Sequence, residues 1–202
     1  MLIIFCFLLT LVYNFPMENF KKKLYVISGP SGVGKGTVIK SFLQQNPNFK
    51  LSTSCTTREK REGEAEGINY FYLTKEEFKK SIQNDEFLEW AEFSDNYYGT
   101  KKAYVEKKLA ENKDLILEIE TQGALQVKAK MPEAVLIFIA PPSYEDLVSR
   151  LRNRNTESEE AIAKRLDFVK LEIENSKKYD YIIVNDQVQH AVQELERIIK
   201  EA

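Results

Sequence analysis

The sequence predicts an α/β fold, a mainly parallel sheet flanked by helices. Residues 24–28, Leu-Tyr-Val-Ile-Ser, form a short apolar, β-branched run of the kind buried on both faces of a parallel sheet. Runs of the same kind recur at 114–120, 134–140 and 179–186, with helical patterning between them. Strands that alternate with helices pair in parallel. The chain has 202 residues and is 43% hydrophobic, which suits one compact domain with room for small insertions. No internal repeat or low-complexity segment interrupts the pattern.

Composition excludes several classes. The net charge of -2 gives no bulk electrostatic hold on nucleic acid or acidic lipid. Cys6 and Cys55 lie far apart in different contexts, so they make neither a disulfide framework nor a zinc site. The single histidine, His190, falls in a polar stretch that reads as helix surface, not as a metal ligand or catalytic base.

Residues 1–16 are almost wholly apolar. The run is shorter than the roughly 20 residues that span a bilayer. No basic residue precedes it and no clear small-residue cleavage site follows, so it fits a signal peptide poorly. The favoured reading is an early start codon, with the working protein beginning at Met17. A cytoplasmic-side membrane anchor comes next and secretion last. Membrane association follows only if 1–16 are retained, and the segment is left out of the fold.

After the first strand come Gly29, Pro30, Ser31, Gly32, Val33, Gly34, Lys35, Gly36 and Thr37, then a helix over 38–45 ended by Asn46-Pro47-Asn48. Strand, glycine turn and helix in that order form the context of a phosphate-binding loop. Glycines let the backbone wrap phosphate oxygens and turn several N–H groups inward. The helix N-terminus adds partial positive charge, and Lys35 adds a full one. Gly36 stands where such loops carry the Ser or Thr that touches Mg²⁺. Thr37 is the nearest hydroxyl, one place late, so the metal is held either through water or indirectly by Thr37.

The next stretch, 51–64, crowds hydroxyls beside Arg58 and Arg61. Two guanidinium groups on a turn can clamp a second anion; an ordinary polar loop is the plainer alternative. Residues 69–73 read as a strand, Thr74 to Glu77 as a capping box opening a helix, and 86–93 as a strand. Residues 96–100, Asn-Tyr-Tyr-Gly-Thr, read as a turn, and 101–110 as a helix. Residues 50–100 thus form a small β-rich insertion. The strand at 114–120 ends in Glu118 and Glu120, at the sheet edge that borders a ligand crevice in parallel folds. Helices follow at 123–130, from the Ser143 cap to Arg152, over 162–177, and over 187–202. Arg150, Arg152, Arg154 and Arg165 surround a polar break at 153–160. Arginines so placed suit a lid that closes over phosphates; a charged surface hairpin explains them as well.

Taken together, these residues resemble the guanylate kinase family over 23–202. The resemblance is carried by Ser-Gly-Pro-Ser-Gly-Val-Gly-Lys at 28–35, Thr-Thr-Arg-Glu-Lys-Arg-Glu-Gly-Glu at 56–64, Phe-Leu-Glu-Trp-Ala at 87–91 and Asn-Tyr-Tyr-Gly-Thr at 96–100. Leu-Glu-Ile-Glu-Thr-Gln-Gly at 117–123, Ala-Pro-Pro-Ser at 140–143 and Val-Asn-Asp at 184–186 complete it. The resemblance implies a P-loop kinase core (17–49, 101–141 and 169–202), a GMP-binding insertion (50–100) and a helical lid (142–168). It implies a cytoplasmic enzyme that moves the γ-phosphoryl group of ATP, taken with Mg²⁺, to GMP, giving ADP and GDP. With no 2′-hydroxyl reader evident, dGMP is an expected second acceptor. Carried over by position, Ser54, Glu89, Thr100 and Glu120 read guanine, with Gly99 beside them. Arg58, Arg61, Tyr70 and Tyr98 hold the GMP phosphate. Lys35 and the 29–37 loop hold the ATP phosphates, with Asn185 and Asp186 near the adenine. Lys35, Arg58, Arg150, Arg154 and Arg165 supply catalytic charge. Thr37 and Glu118 are candidates for indirect metal contact. The sequence departs from the family pattern at Gly36, at Glu118 and Glu120 where aspartates are usual, and at Asn155 where the lid usually has glycine. Two alternatives stay open: a non-catalytic binding module of the same fold, and a kinase with another acceptor. The oligomeric state is left open.

Overall fold

The structure is a computed structural model that describes residues 23–111, 113–152 and 159–202, with only the backbone over 159–165. The predicted residues Arg154 and Asn155, and the segment 1–16, lie outside the described residues.

Five strands make the larger sheet: β1 (Leu24–Ser28), β2 (Phe49–Leu51), β7 (Asp114–Glu118), β8 (Val135–Ala140) and β9 (Tyr181–Val184). Their order is β2-β7-β1-β8-β9, and every neighbouring pair is parallel. The phosphate-loop strand is therefore central, and its pleat sorts two cores. Tyr25 and Ile27 face one cluster with Val38, Ile39 and Phe42 of α1 (Lys35–Gln45) and Val192, Leu195 and Ile198 of α7 (Val188–Glu201). Leu24 and Val26 face the other, with Val105 and Leu109 of α3 (Lys102–Ala110) and Ala124 and Val127 of α4 (Thr121–Lys130). A strand apolar on both faces is what a doubly covered parallel sheet requires. This bears out the predicted α/β class.

A second sheet, in the order β4-β3-β6-β5, is built from β3 (Cys55–Thr56), β4 (Phe71–Tyr72), β5 (Phe87–Phe93) and β6 (Asn96–Lys101). Its own core stacks Phe78 of α2 (Lys75–Gln83) on Phe87, with ring centroids 4.2 Å apart, and includes Cys55. The Thr74–Glu77 capping box is formed in both directions. Three further helical elements complete the described chain: α5 (Tyr144–Arg152), α6 (Glu159–Asn175) and a 3-10 turn at Ser176–Lys178. Among the described residues no helix is long and apolar enough to cross a membrane.

Three local readings are corrected. Residues 96–101 are a strand, not a turn. The reversal is at Ser94 and Asp95, both with positive φ (48° and 61°), as a two-residue hairpin of matching twist needs. Asn96 and Gly99 suggested a turn, but pairing with β5 across the full length outweighs them. Residues 49–51 pair with β7, so Lys50 and Leu51, assigned to the start of the insertion, belong to the larger sheet. The first helix begins at Lys35, three residues before the apolar pattern, because Gly34 takes the left-handed conformation (φ 92°) as its cap.

Candidate active site

The phosphate loop leaves β1 at Ser28 and enters α1 at Lys35. Gly29 crosses so close to β8 that a Cβ there would run into the Ile139 carbonyl. Within the loop Val33 N–H donates to the Pro30 carbonyl at 3.2 Å. Lys35 Nζ donates to the Gly29 carbonyl at 3.0 Å, so the ammonium folds back over the loop. Ser31, Gly36 and Thr37 are exposed on its rim.

A cavity of about 510 Å³ runs from this loop to the second sheet. Of the predicted residues it brings together Lys35, Glu118 and Glu120 on the core side with Ser54, Tyr70, Glu89, Tyr98 and Gly99 on the other. Thr100 lies behind them, fully buried, and donates its hydroxyl to Glu89 Oε1 at 2.6 Å. Ser54 and Thr100 hydroxyls are 3.4 Å apart, so three side chains from three strand regions form one chain of hydrogen bonds. Glu89 is 4% exposed. Burial pushes its carboxyl up to about 7, against the pull of the Thr100 hydrogen bonds and Lys130, and Glu120 pushes it further up. This is a carboxylate kept in an apolar place with part of its acceptor capacity unused.

Arg58 and Arg61 do not line the cavity in this state. Arg58 Nη2 donates to both Glu64 oxygens at 2.8 and 3.1 Å, and its guanidinium lies 5.5 Å from the Tyr70 ring centre. Glu64 also accepts from the Arg61 backbone N–H (2.9 Å) and the Tyr72 hydroxyl (2.8 Å). The Arg58 hydrogen bond leads the causes that hold Glu64 down at about 2. Tyr70 and Tyr98 meet edge to face at 6.2 Å. Glu64, which sequence reasoning passed over, thus holds the Arg58 guanidinium and the backbone of Arg61.

On the opposite rim, Arg150 Nη1 donates to the Val33 carbonyl (3.1 Å) and Nη2 to the Asn185 carbonyl (3.0 Å). Asn185, 4% exposed, turns its amide onto the same Val33 carbonyl at 2.7 Å. Both predicted residues therefore brace the back of the loop. Asp186 is exposed; its carboxylate accepts from the Gln187 N–H at 2.6 Å at the start of α7. Arg165 lies on α6.

The carboxylates fit a cation only in a limited way. Among the described residues no group of three or more His, Cys, Asp or Glu could hold a metal ion. Glu118 is the acidic group beside the loop: a Cβ on Gly36 would lie 3.5 Å from its Oε1. One carboxylate beside a phosphate cradle matches an ion held mostly by phosphate oxygens and water.

Besides Glu64, two residues of the site were not singled out in the sequence. Gly123, the first-turn glycine of α4, lies so close to Glu89 that a Cβ would stand 2.6 Å from its Oε2. Gln126 hydrogen-bonds both backbone groups of Trp90, accepting at 3.2 Å and donating at 2.9 Å, so α4 holds the strand that carries Glu89. Gly123 fell inside the Thr-Gln-Gly stretch already singled out; Gln126 carries no local signal.

A central parallel strand feeding a glycine loop and helix, with a second sheet across the cleft, defines a P-loop phosphoryl-transfer fold. The guanylate kinase family profile matches residues 21–202. The chain is 50% identical over 177 residues to a guanylate kinase of Oceanobacillus iheyensis, covering 88% of this chain and 86% of that protein. It is 52% identical over 176 residues to one of Caldanaerobacter subterraneus subsp. tengcongensis, covering 87% and 85%. The crystal structure of guanylate kinase from Anaplasma phagocytophilum superposes with a TM-score of 0.71 at 32% identity, covering 89% and 85%. The chain belongs to the guanylate kinase family.

Proposed function

We infer that this protein transfers the γ-phosphoryl group of ATP to GMP, giving ADP and GDP. The observation that carries the reading is a single cavity with Lys35 of the phosphate loop at one end and the buried Glu89 at the other. Guanine presents N1–H and N2–H donors side by side, and one carboxylate can accept both. Adenine has no such pair and would leave Glu89 unsatisfied in a dry place, which disfavours it strongly. Ser54, Thr100 and Glu120 complete the guanine end, with Gly99 in its wall. Arg58, Arg61, Tyr70 and Tyr98 take the GMP phosphate, with Arg58 leaving Glu64 or sharing it.

The chemistry asks little of acids and bases. A nucleotide phosphate is largely ionised at neutral pH and attacks without a general base. The protein's work is to align two anions and neutralise charge between them. Lys35 and the loop N–H groups take the ATP phosphates, Arg150 stands at the loop's back, and Arg154 and Arg165 complete the positive set. A divalent ion such as Mg²⁺, arriving with ATP, would be held by Glu118 and, indirectly, Thr37, and would supply further neutralisation of the phosphates. Closing of both rims excludes water, which would otherwise accept the phosphoryl group. The reaction belongs in the cytoplasm, where ATP is available.

The deciding experiment is a coupled ADP-release assay with ATP and Mg²⁺, offering GMP, dGMP, AMP, CMP and UMP in parallel. Turnover with GMP and dGMP alone is the expected result. Similar rates with GMP and AMP would defeat the guanine site. No turnover by folded protein would favour a binding module.

A further inference from the structure

The loop between β3 and β4 mixes cations and carboxylates along its length: Arg58, Glu59, Lys60, Arg61, Glu62 and Glu64. Glu64 is set apart by what meets it. Its side chain is only 18% exposed, and so is well covered for a charged group on a loop. Its oxygens accept two hydrogen bonds from Arg58 Nη2, one from the Arg61 backbone N–H and one from the Tyr72 hydroxyl of β4. A carboxylate has about four acceptor sites, so this one is close to saturated.

The bonds tie the loop to the cavity wall. The Tyr72 ring meets the Tyr70 ring edge to face at 6.1 Å, and Tyr70 meets Tyr98 in the same way. Tyr70 and Tyr98 line the cavity. Arg58 sits against this row, with the face of its guanidinium toward Tyr70 and one edge on Glu64. Its Nη1 donates to the Glu59 carbonyl at 2.7 Å. A guanidinium carries five N–H donors. Among the described residues the Arg58 Nε–H makes no hydrogen bond, so that edge is uncommitted.

A carboxylate beside an arginine can act in two opposed ways. It can occupy the guanidinium and compete with an arriving phosphate, or it can hold the guanidinium in place for one. Competition would need only the bonds from Arg58. The bonds from the Arg61 N–H and the Tyr72 hydroxyl fix Glu64 itself, to the loop on one side and to β4 on the other, as a support requires. An arginine stem carries about 2 kcal/mol of rotamer entropy. Where a support has already restrained that stem, less is lost when an anion binds.

We propose that Glu64 is the positioning residue of the acceptor-phosphate clamp: it stays on Arg58 while the phosphate binds, fixing the guanidinium against Tyr70 and leaving the Nε edge for the phosphate oxygens. The assignment rests on the GMP-binding reading given above. It has a definite sign. A competing carboxylate would weaken GMP binding, and its removal would tighten it; a supporting one does the reverse.

The test compares the full-length protein with Glu64→Gln, Glu64→Asp and Arg58→Met, and with the double variant Glu64→Gln/Arg58→Met. Equilibrium binding of GMP, of guanosine and of Mg·ATP is measured for each, with ADP release where turnover persists. For Glu64→Gln the expected result is a loss of roughly tenfold in GMP affinity, with KM for GMP raised to match. Affinities for guanosine, which lacks the phosphate, and for Mg·ATP stay within about twofold and report that the variant is folded. Glu64→Asp, which keeps the charge on a shorter arm, restores part of the loss. In the Arg58→Met background Glu64→Gln weakens GMP binding by no more than about twofold. Unchanged or tighter GMP binding in Glu64→Gln overturns the assignment. So does an equal loss for guanosine, the mark of a purely structural role, and so does a full tenfold loss without Arg58. A wild type that binds GMP without phosphorylating it defeats the kinase reading alone, and the GMP comparison still decides Glu64. A wild type that binds no GMP defeats both.

Discussion

Under the proposed guanine site, Glu89 carries both recognition and pH dependence. Burial raises its carboxyl to about 7, so near neutrality part of the free protein holds it protonated. The guanine donors require the ionised form, so GMP binding should release a proton from this group. We expect GMP affinity to rise with pH through about 7, and titration calorimetry in two buffers should count the proton released. In Glu89→Gln that contribution should vanish, with GMP affinity down by at least roughly a hundredfold and ATP affinity little changed. A Cβ at residue 123 would stand 2.6 Å from Glu89 Oε2. Gly123→Ala should therefore raise KM for GMP while sparing KM for ATP. At the other end of the cavity, Lys35→Ala should remove most turnover and leave GMP binding intact; equal loss of GMP affinity would defeat that assignment.

At the scale of elements, the two sheets are joined where β5 lies against α4. Two hydrogen bonds between the Gln126 side chain and the Trp90 backbone span this contact. Leucine at 126 has similar bulk but leaves both Trp90 groups without that partner. Gln126→Leu should cost about 1–3 kcal/mol and speed hydrogen exchange at Trp90. The loss should be larger for GMP binding than for ATP binding, because β5 carries Glu89 and the phosphate loop does not depend on it. On the other rim, Val33 O accepts from both Arg150 and Asn185, linking the end of β9 and the end of α5 to the loop. The loop is thus braced by elements distant in sequence.

The whole molecule should show two opposing acid responses. Glu89 and Glu172 are both raised to about 7 by burial, so the folded state binds more protons than the unfolded chain between the ordinary carboxylate value and that point. Their ionisation weakens the fold as pH rises through this window. Glu64 and Glu86 are both held down at about 2, chiefly by hydrogen bonds from Arg58 and Lys101 respectively. Their contribution is present above the ordinary carboxylate value and is lost as pH falls toward 2. The ligand-free protein should therefore be most stable to heat in mildly acidic solution, near about pH 5, with a lower melting midpoint at about pH 8 and a steep fall below about pH 4. Glu89→Gln should flatten the neutral side of that profile without altering the acid side.

Local sequence determined the parallel sheet, the phosphate loop and most helices. Each is written in adjacent residues: apolar β-branched runs, glycines at turn positions, Thr74 with Glu77 as a capping box. That Glu89 and Thr100 would meet was expected only through the family resemblance, which the compact motifs at 87–91 and 96–100 carry, and the structure brings the two side chains together. Only the tertiary structure decided that 96–101 is a strand, since its hydrogen bonds come from β5 and not from its own residues. It likewise decided that Glu64 organises Arg58 and that Gln126 holds β5. These depend on burial and on partners brought close by packing, from separations of six residues for Arg58 to 36 for Gln126, and no local pattern encodes the environment that a side chain will meet once the chain is folded.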